Sequence, residues 1–173
     1  AVIPVHLFGQ MADMPEIESV LKQANHKIYV IEDCAQSIGA DIGGKQAGCF
    51  GDFGAFSFYP TKNLGAMGDA GLVSTKGAEL AERLRALRVH GSKQRYFHEY
   101  IGVNSRLDSF QAVVLSVKLK LLDGYRARRM ALAAKYAEEF KRADLIEKIR
   151  LPVSKPNFGS VWNQFTVRAA QRD

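Results

Sequence analysis

Phe56-Ser-Phe-Tyr-Pro-Thr-Lys-Asn-Leu-Gly65 sets one lysine, Lys62, between a run of β-forming residues and a glycine, with Pro60 just ahead of it. Such a lysine lies on a strand-to-loop edge, where partial desolvation keeps some of its amine neutral and able to attack a carbonyl. Most lysines in turns are solvated surface groups, so the assignment of Lys62 as a Schiff-base candidate leans on its neighbours. Upstream, Lys27-Ile-Tyr-Val-Ile-Glu-Asp33 is a short β-branched run that ends in acids, 29 residues before Lys62. A buried parallel strand has this form where its carboxyl end meets a ligand crevice.

An acid at that place can hold a cationic ring nitrogen. Pyridoxal phosphate chemistry uses a Schiff-base lysine and an acidic partner for the pyridinium, and Lys62 and Asp33 supply both residue types. Around them, nine of the 33 residues from Gly39 to Gly71 are glycine, interleaved with Phe50, Phe53, Phe56, Phe58 and Tyr59. That density suits tight turns and close backbone approach to a ligand.

Working outward, Val2–Phe8 reads as a strand with Pro4 near its start. A helix over 15–24 follows, with Asp13 or a neighbour as its cap, and then a strand over 27–32. This βαβ order predicts a parallel sheet with a right-handed crossover. Strands are expected over 54–59 and 71–75, and a helix from Ala78 to about Val89 on the spacing of Leu80, Leu84 and Leu87. Two longer helices, 107–122 and 125–142, are expected to part near Asp123-Gly124. In the first, Phe110, Val113, Val114, Val117 and Leu121 form one stripe with the spacing of a core face. Val161–Val167 alternates roughly as a strand does, and a domain boundary is placed near residue 150.

Other motifs are weaker. Gly39-Ala-Asp-Ile-Gly-Gly-Lys45 fits a phosphate-binding loop only up to its lysine, because Gln46 stands where Ser or Thr must ligate magnesium. Ser57, His6 and Asp33 make no nucleophile elbow, since Ala55 and Tyr59 replace its glycines. The four histidines lack paired metal-ligand spacing, and Cys34 and Cys49 are too few for a disulfide framework or zinc site. They read as small apolar side chains, with Cys34 packed beneath its strand. The formal charge of +6 and the stretch 83–106 invite a nucleic-acid reading. That stretch carries Arg83, Arg85, Arg88, Lys93, Arg95 and Arg106 against Glu99 alone, with Tyr96, Phe97 and Tyr100 between them. With the lysine block present, an anionic small molecule explains the basic stretch better.

Taken together, several blocks in order resemble the DegT/StrS-type sugar aminotransferases, a pyridoxal-phosphate-dependent family of the aspartate-aminotransferase fold group. The blocks are Val5-His-Leu-Phe-Gly9, Glu32-Asp-Cys-Ala-Gln36, Gly51–Gly65, Gly68-Asp-Ala-Gly71, His90-Gly91 and Gly102-Val-Asn-Ser-Arg-Leu-Asp108. The resemblance implies an α/β fold of type I, a parallel-rich sheet with flanking helices, incomplete at both ends. Residues 1–150 would belong to the large cofactor-binding domain and 151–173 to the start of a small C-terminal domain.

It also implies roles. Lys62 looks like the cofactor-linked lysine, Asp33 like the ring-nitrogen partner, Gln36 like the group on the ring-hydroxyl side and Ser57 like a phosphate ligand. Asn104 is similar to an asparagine that reaches the neighbouring subunit's phosphate, which implies a homodimer with a shared site, and Arg106 is a substrate-binding candidate. The implied reaction moves an amino group from glutamate or glutamine to a nucleotide-linked keto-sugar, with 3-keto favoured over 4-keto. A non-catalytic pyridoxal-phosphate sensor is the alternative, ahead of a basic nucleic-acid-binding domain.

Composition sets outer bounds. The chain has 173 residues, 47% hydrophobic and 24% charged, ordinary for a globular protein. It has no apolar run of the roughly 20 residues a membrane span needs, and no signal-peptide pattern at its start. The expectation is a cytoplasmic protein that binds neither membrane nor nucleic acid.

Overall fold

In the computed structural model, which describes residues 1–170, the centre is a small twisted sheet of parallel-rich topology. Its named strands are β1 (Ile31–Asp33), β4 (Phe53–Ser57) and β5 (Gly71–Thr75), in the order β1-β4-β5. β1 and β4 are parallel, with Asp33 opposite Ala55; β4 and β5 are antiparallel. Two further strands, β2 (Asp41–Ile42) and β3 (Lys45–Gln46), form a hairpin in the connection between β1 and β4.

The expected N-terminal strand is present as a parallel ladder on the outer side of β1, broken into two isolated bridges, Val2–Val30 and Val5–Asp33. Val2 N donates to Tyr29 O, Ile31 N to Val2 O, Asp33 N to Pro4 O and His6 N to Asp33 O. The rung missing from this series is the one Pro4 cannot donate. The ladder gives way to a 3-10 turn, Leu7–Gly9, in which Phe8 has φ 61° and Gly9 φ 97°. A Cβ on Gly9 would stand 2.7 Å from Asn163 N, so glycine is required by close approach as well as by conformation.

Helix α1 (Met14–Leu21) begins as the sequence indicates, with Asp13 accepting from Glu16 N and Pro15 in the first turn. It stops three residues short of the expected end. Met14, fully buried, anchors it in the main core with Met11, Val30, Cys34, Ala40, Ala47 and Val161. A fully buried Met or Val contributes about 1.5–3 kcal/mol relative to exposure. Helix α2 (Ala78–Leu87) follows β5, and β6 (Ser92–Gln94) and β7 (Phe97–His98) make a short hairpin.

Helices α3 (Ser109–Leu119) and α4 (Leu122–Arg142) part at Lys120-Leu121 rather than at Asp123-Gly124, which lies in the first turn of α4. Of the apolar stripe expected on α3 only Val114 is half-buried, and the other four residues do not face the core. Phe110, Val113, Val117 and Leu121 are 67%, 63%, 60% and 50% exposed. The inner face is the row Gln111, Leu115, Lys118, continued by Leu122. Gln111 accepts from Met67 N at 2.8 Å, Lys118 donates to Gly65 O, and Leu115 and Leu122 pack with Phe58, Leu64 and Ala66. The lysine loop presents unpaired backbone groups, and a mixed row of side chains satisfies them where the more apolar stripe could not.

Beyond α4, β8 (Ile149–Arg150) pairs with β10 (Arg168–Ala169), and β9 (Phe158–Gly159) adds to β2. The stretch 161–167 is not a strand. It is an irregular segment whose residues 160–164 are laid against the Leu7–Gly9 turn, so the alternation there records packing, not a ladder. The expected second domain, 151–173, ends in three residues that lie outside those described.

Candidate active site

The site starts from strand parity. β1 and β4 run parallel, and paired residues point to the same face, so Asp33, opposite Ala55, shares a face with Ala55 and with Ser57 two residues on. Ile3, from the N-terminal ladder, and Ile31 complete the row. Together with Ala35 and Phe56 these residues line an open concavity of about 300 Å³ at the carboxyl ends of the parallel strands. The small side chains Ala35 and Ala55 leave its floor open.

Asp33 offers that space a carboxylate with spare capacity. Its Oδ1 accepts from Ala35 N at 3.0 Å, while Oδ2 has no protein partner among the described residues. Ser57 Oγ accepts a long bond from Tyr59 N at 3.3 Å and keeps its proton free to donate. Lys62 lies on the turn after β4, where its N–H donates to Tyr59 O at 2.9 Å. Its side chain is half-buried, and its amine makes no ion pair or hydrogen bond among the described residues. Gln36, on the turn after β1, receives Phe8 N on Oε1 at 2.6 Å, which leaves its amide Nε2 as a donor. Lys62 and Gln36 are outside the wall of the concavity, on the two turns that leave it.

Asn104 and Arg106 are elsewhere. Asn104 is exposed, bridges Val89, and accepts from Arg106 Nε at 3.2 Å. Neither residue lines the concavity, and among the described residues neither is hydrogen-bonded or ion-paired to Lys62, Asp33 or Ser57 of its own chain. The basic stretch around them is partly engaged internally. Lys93 pairs with Glu99 at 2.7 Å, Arg83 and Lys93 lie over Tyr100, and Arg95 lies over Tyr96.

The opposite face of β1 carries a buried polar cluster that the sequence did not disclose. Glu32 is fully buried. Its Oε1 accepts from Phe50 N and Gly51 N, both at 2.7 Å, and its Oε2 from Gly48 N and His6 Nε2, both at 2.9 Å. His6 in turn accepts from Ala12 N on Nδ1, which fixes Nε2 as the donor to Glu32. Burial works to raise the Glu32 carboxyl, but the His6 bond and the backbone donors Gly51, Gly48 and Phe50 outweigh it, holding the group below the usual carboxylate range.

His6, Glu32 and Cys34 have ligand-type atoms within 4.8 Å of one another. The arrangement still does not fit a metal, because the carboxylate oxygens and both imidazole nitrogens are already committed. Burial, and then the Glu32 charge, push the Cys34 thiol up to about 12. The signal that could have separated the two acids is parity alone: Val30, Glu32 and Cys34 alternate with Ile31, Asp33 and Ala35.

As a set, the open face offers a carboxylate and a hydroxyl about a shallow floor, and the two turns that leave it carry an amide donor and an amine without a partner among the described residues. That set fits pyridoxal phosphate. Asp33 would hold the ring nitrogen, Gln36 the ring-hydroxyl side, Ser57 the phosphate and Lys62 the carbonyl carbon.

A model of the DegT/DnrJ/EryC1/StrS aminotransferase family matches residues 1–173. The UDP-N-acetyl-3-dehydro-alpha-D-glucosamine 3-aminotransferase of Acidithiobacillus ferrooxidans is 49% identical over 173 residues, covering 100% of this chain and 45% of that protein. A pleiotropic regulatory protein of Geobacillus stearothermophilus is 47% identical, covering 100% of this chain and 46% of the relative. Among solved structures, that of S. venezuelae DesV in complex with a ketimine intermediate superposes with a TM-score of 0.91 at 47% identity, covering 98% of this chain and 44% of that one. The chain thus spans about half the length of the relatives it matches, and its fold is that of these sugar aminotransferases.

Proposed function

The chain belongs to the DegT/DnrJ/EryC1/StrS aminotransferase family, and from that premise we propose that the protein transfers an amino group from glutamate or glutamine to a nucleotide-linked keto-sugar, with pyridoxal 5′-phosphate as cofactor. The observation that carries this reading is the parity of β1 and β4. It brings the Asp33 carboxylate and the Ser57 hydroxyl to one concavity, with the free Lys62 amine on the next turn. Amination at the sugar's C3 is the finer proposal, supported by the name of the A. ferrooxidans relative. A cytoplasmic location belongs to the same reading, and so does the start of a small domain at residue 151. Among the described residues no helix is long and apolar enough to cross a membrane.

When bound, the cofactor supplies an electron-poor ring into which charge from the substrate carbon spreads. Asp33 would face the ring nitrogen through its unpartnered Oδ2 and stabilise that charge from a fixed position. Ser57 would donate to the phosphate and Gln36 Nε2 to the ring-hydroxyl side. Lys62 would tether the cofactor through its Nζ until the amino donor took its place. The Nζ so released would take the proton from the donor's α-carbon as general base and deliver it, as general acid, to the carbon that Lys62 had held. Ala35 and Ala55, small side chains in the lining, would leave room for the ring beside Asp33.

Borohydride reduction of the full-length, cofactor-loaded protein tests this directly. Peptide mass analysis is expected to find the adduct on Lys62, and an adduct on Lys45 or Lys76 instead rejects the assignment. Lys62→Ala is expected to lower turnover by roughly 10²–10⁴-fold or more. The regulatory name of the G. stearothermophilus relative favours a second reading, a cofactor-binding regulator. Adding glutamate separates the two: an aminotransferase changes the absorbance of its bound cofactor, and a regulator that cannot turn over does not.

Asn104 and Arg106 lie away from the concavity of their own chain, which supports their use in a partner's site and hence a homodimer. Mixing Lys62→Ala with Asn104→Ala chains is expected to restore activity, since one of two shared sites regains both residues. Subunit exchange without recovery counts against the shared site.

A further inference from the structure

The Lys62 turn is closed upon itself and then tied to a distant part of the chain by one side chain. Within the turn Lys62 N donates to Tyr59 O, and Ala66 N donates to Phe58 O at 2.7 Å. A Cβ on Gly65 would collide with the carbonyl of Pro60. Asn63 leaves this closed unit: it is 8% exposed, and its Nδ2 donates to Val161 O at 3.0 Å. Its Oδ1 is buried and has no partner among the described residues. The unpartnered Oδ1 makes the amide costly at this place unless its donor is used, and removing that donor would leave Val161 O without its bond.

The segment that receives this bond is itself held firmly. Val161 N and Ser160 Oγ both donate to Gly9 O, at 2.9 and 3.1 Å, and Gln164 N donates to Phe8 O at 3.3 Å. From the helix side Arg129 Nη1 donates to Trp162 O at 3.0 Å. Trp162 has φ 47°, a conformation a bulky residue keeps only where its surroundings fix it. Phe8, which the segment touches, is the residue whose N–H is taken by Gln36. One segment, 160–164, therefore reaches the flank of Lys62 through Asn63 and the flank of Gln36 through Phe8.

We propose that Asn63 is a positioning residue: through its bond to Val161 it lets the 160–164 segment set the aim of the Lys62 amine. The proposal rests on the reading of Lys62 as the cofactor lysine. The amine ends a flexible four-carbon stem, so the backbone beneath it decides where it arrives, and a misplacement of about 1 Å costs on the order of 10²-fold in rate. Anchoring the next residue to a rigid segment limits that wander without placing a polar group on the reacting atoms.

The test uses full-length protein with three variants. Asn63→Leu removes the donor while keeping the branched four-atom frame of the side chain, Asn63→Asp removes it while keeping the acceptor, and Arg129→Met loosens the segment from its other side without touching the Lys62 turn. Both Asn63 variants are expected to lose about 10- to 100-fold in kcat, with KM for the amino donor within about twofold. They are also expected to slow borohydride capture at Lys62 and to shift the pH at which the bound cofactor changes absorbance. In the cofactor-free protein, amide hydrogen exchange at 160–164 is expected to quicken. Arg129→Met shifts the same readouts less, and combining it with Asn63→Leu costs less than the product of the two.

Wild-type capture rate, absorbance pH and kcat in folded Asn63 variants overturn the proposal. If the Asn63 variants do not fold, Arg129→Met decides, and unchanged capture in it overturns the proposal equally. Should the wild-type protein take no label at Lys62, the functional reading fails separately. Hydrogen exchange then still judges the tie: protection at 160–164 unaltered by Asn63→Leu rules it out.

Discussion

Glu32 and Asp33 are adjacent acids on one strand, and the two faces of the sheet treat them in opposite ways. On the sealed face Glu32 is 0% exposed and accepts four hydrogen bonds, three from the loop that leads into β4 and one from His6. Its neighbours in parity, Val30 and Cys34, are buried at 7% and 1%. On the open face Asp33 accepts one local bond and shares the concavity with a serine that has a spare proton, and the turn after that serine's strand carries a lysine with no partner among the described residues. Burying a carboxylate costs several kcal/mol unless bonds of about 1.5–3 kcal/mol each replace its water, and Glu32 has four of them. Its valences are spent on holding the chain together. Those of Asp33 remain available for a ligand, which is the physical difference between a structural acid and a candidate functional one.

Exchanging each acid for its amide should separate the two faces most sharply. Asp33→Asn is expected to keep a wild-type melting curve and lose roughly 10²–10³-fold in kcat, the scale of one preorganised electrostatic contact. Glu32→Gln is expected to do the reverse. It should lose on the order of 3 kcal/mol of stability, about the worth of one or two bonds to a charged group, while kcat per folded molecule stays within a few-fold. Matched urea titrations and steady-state kinetics check both. If Asp33→Asn unfolds the protein while Glu32→Gln silences it, the faces have been assigned the wrong way round.

Acid sharpens the contrast further. The Glu32 carboxyl is held below its ordinary value of 4.5 in the folded protein. The stability it confers is therefore complete above about that pH and is lost as pH falls through the lower, folded value. The gap between wild type and Glu32→Gln in urea midpoint should be constant near neutrality and narrow in acid. A gap that holds at all pH values would mean that ionised Glu32 is not its source.

The smallest effect concerns the two free cysteines. Cys34, on the sealed face with its thiol at about 12, should resist alkylation in the native protein, whereas exposed Cys49 should react. Mass analysis of peptides after brief treatment with iodoacetamide reads this directly. Modification of native Cys34 at the rate of Cys49 would show that the sealed face opens.

α3 marks where sequence reasoning goes astray. Phe110, Val113, Val117 and Leu121 have ideal core spacing, yet all four are at least half exposed, and the helix turns the row Gln111, Leu115, Lys118 inward. Periodicity reports which stripe is apolar. It does not report what the facing surface needs, and here that surface is the backbone of the lysine loop. Val161–Val167 fails for a related reason: its alternation comes from docking against Gly9, which lies 152 residues before Val161 and which no local pattern encodes.

What the sequence determined by itself is the order of the parts. A β-branched run ending in Asp33, a glycine-rich stretch, and Lys62 after a strand with Pro60 between them are local signals, fixed by side-chain shape and backbone freedom; they marked Asp33 and Lys62, and the family resemblance added Gln36, Ser57, Asn104 and Arg106. Only the tertiary structure decided which side of the sheet each acid faces, that Glu32 and His6 close one side, and that Asn63 reaches Val161. Those outcomes depend on which distant backbone donors and acceptors arrive beside a side chain, and such pairings are settled by packing of the whole chain rather than by any window of its sequence.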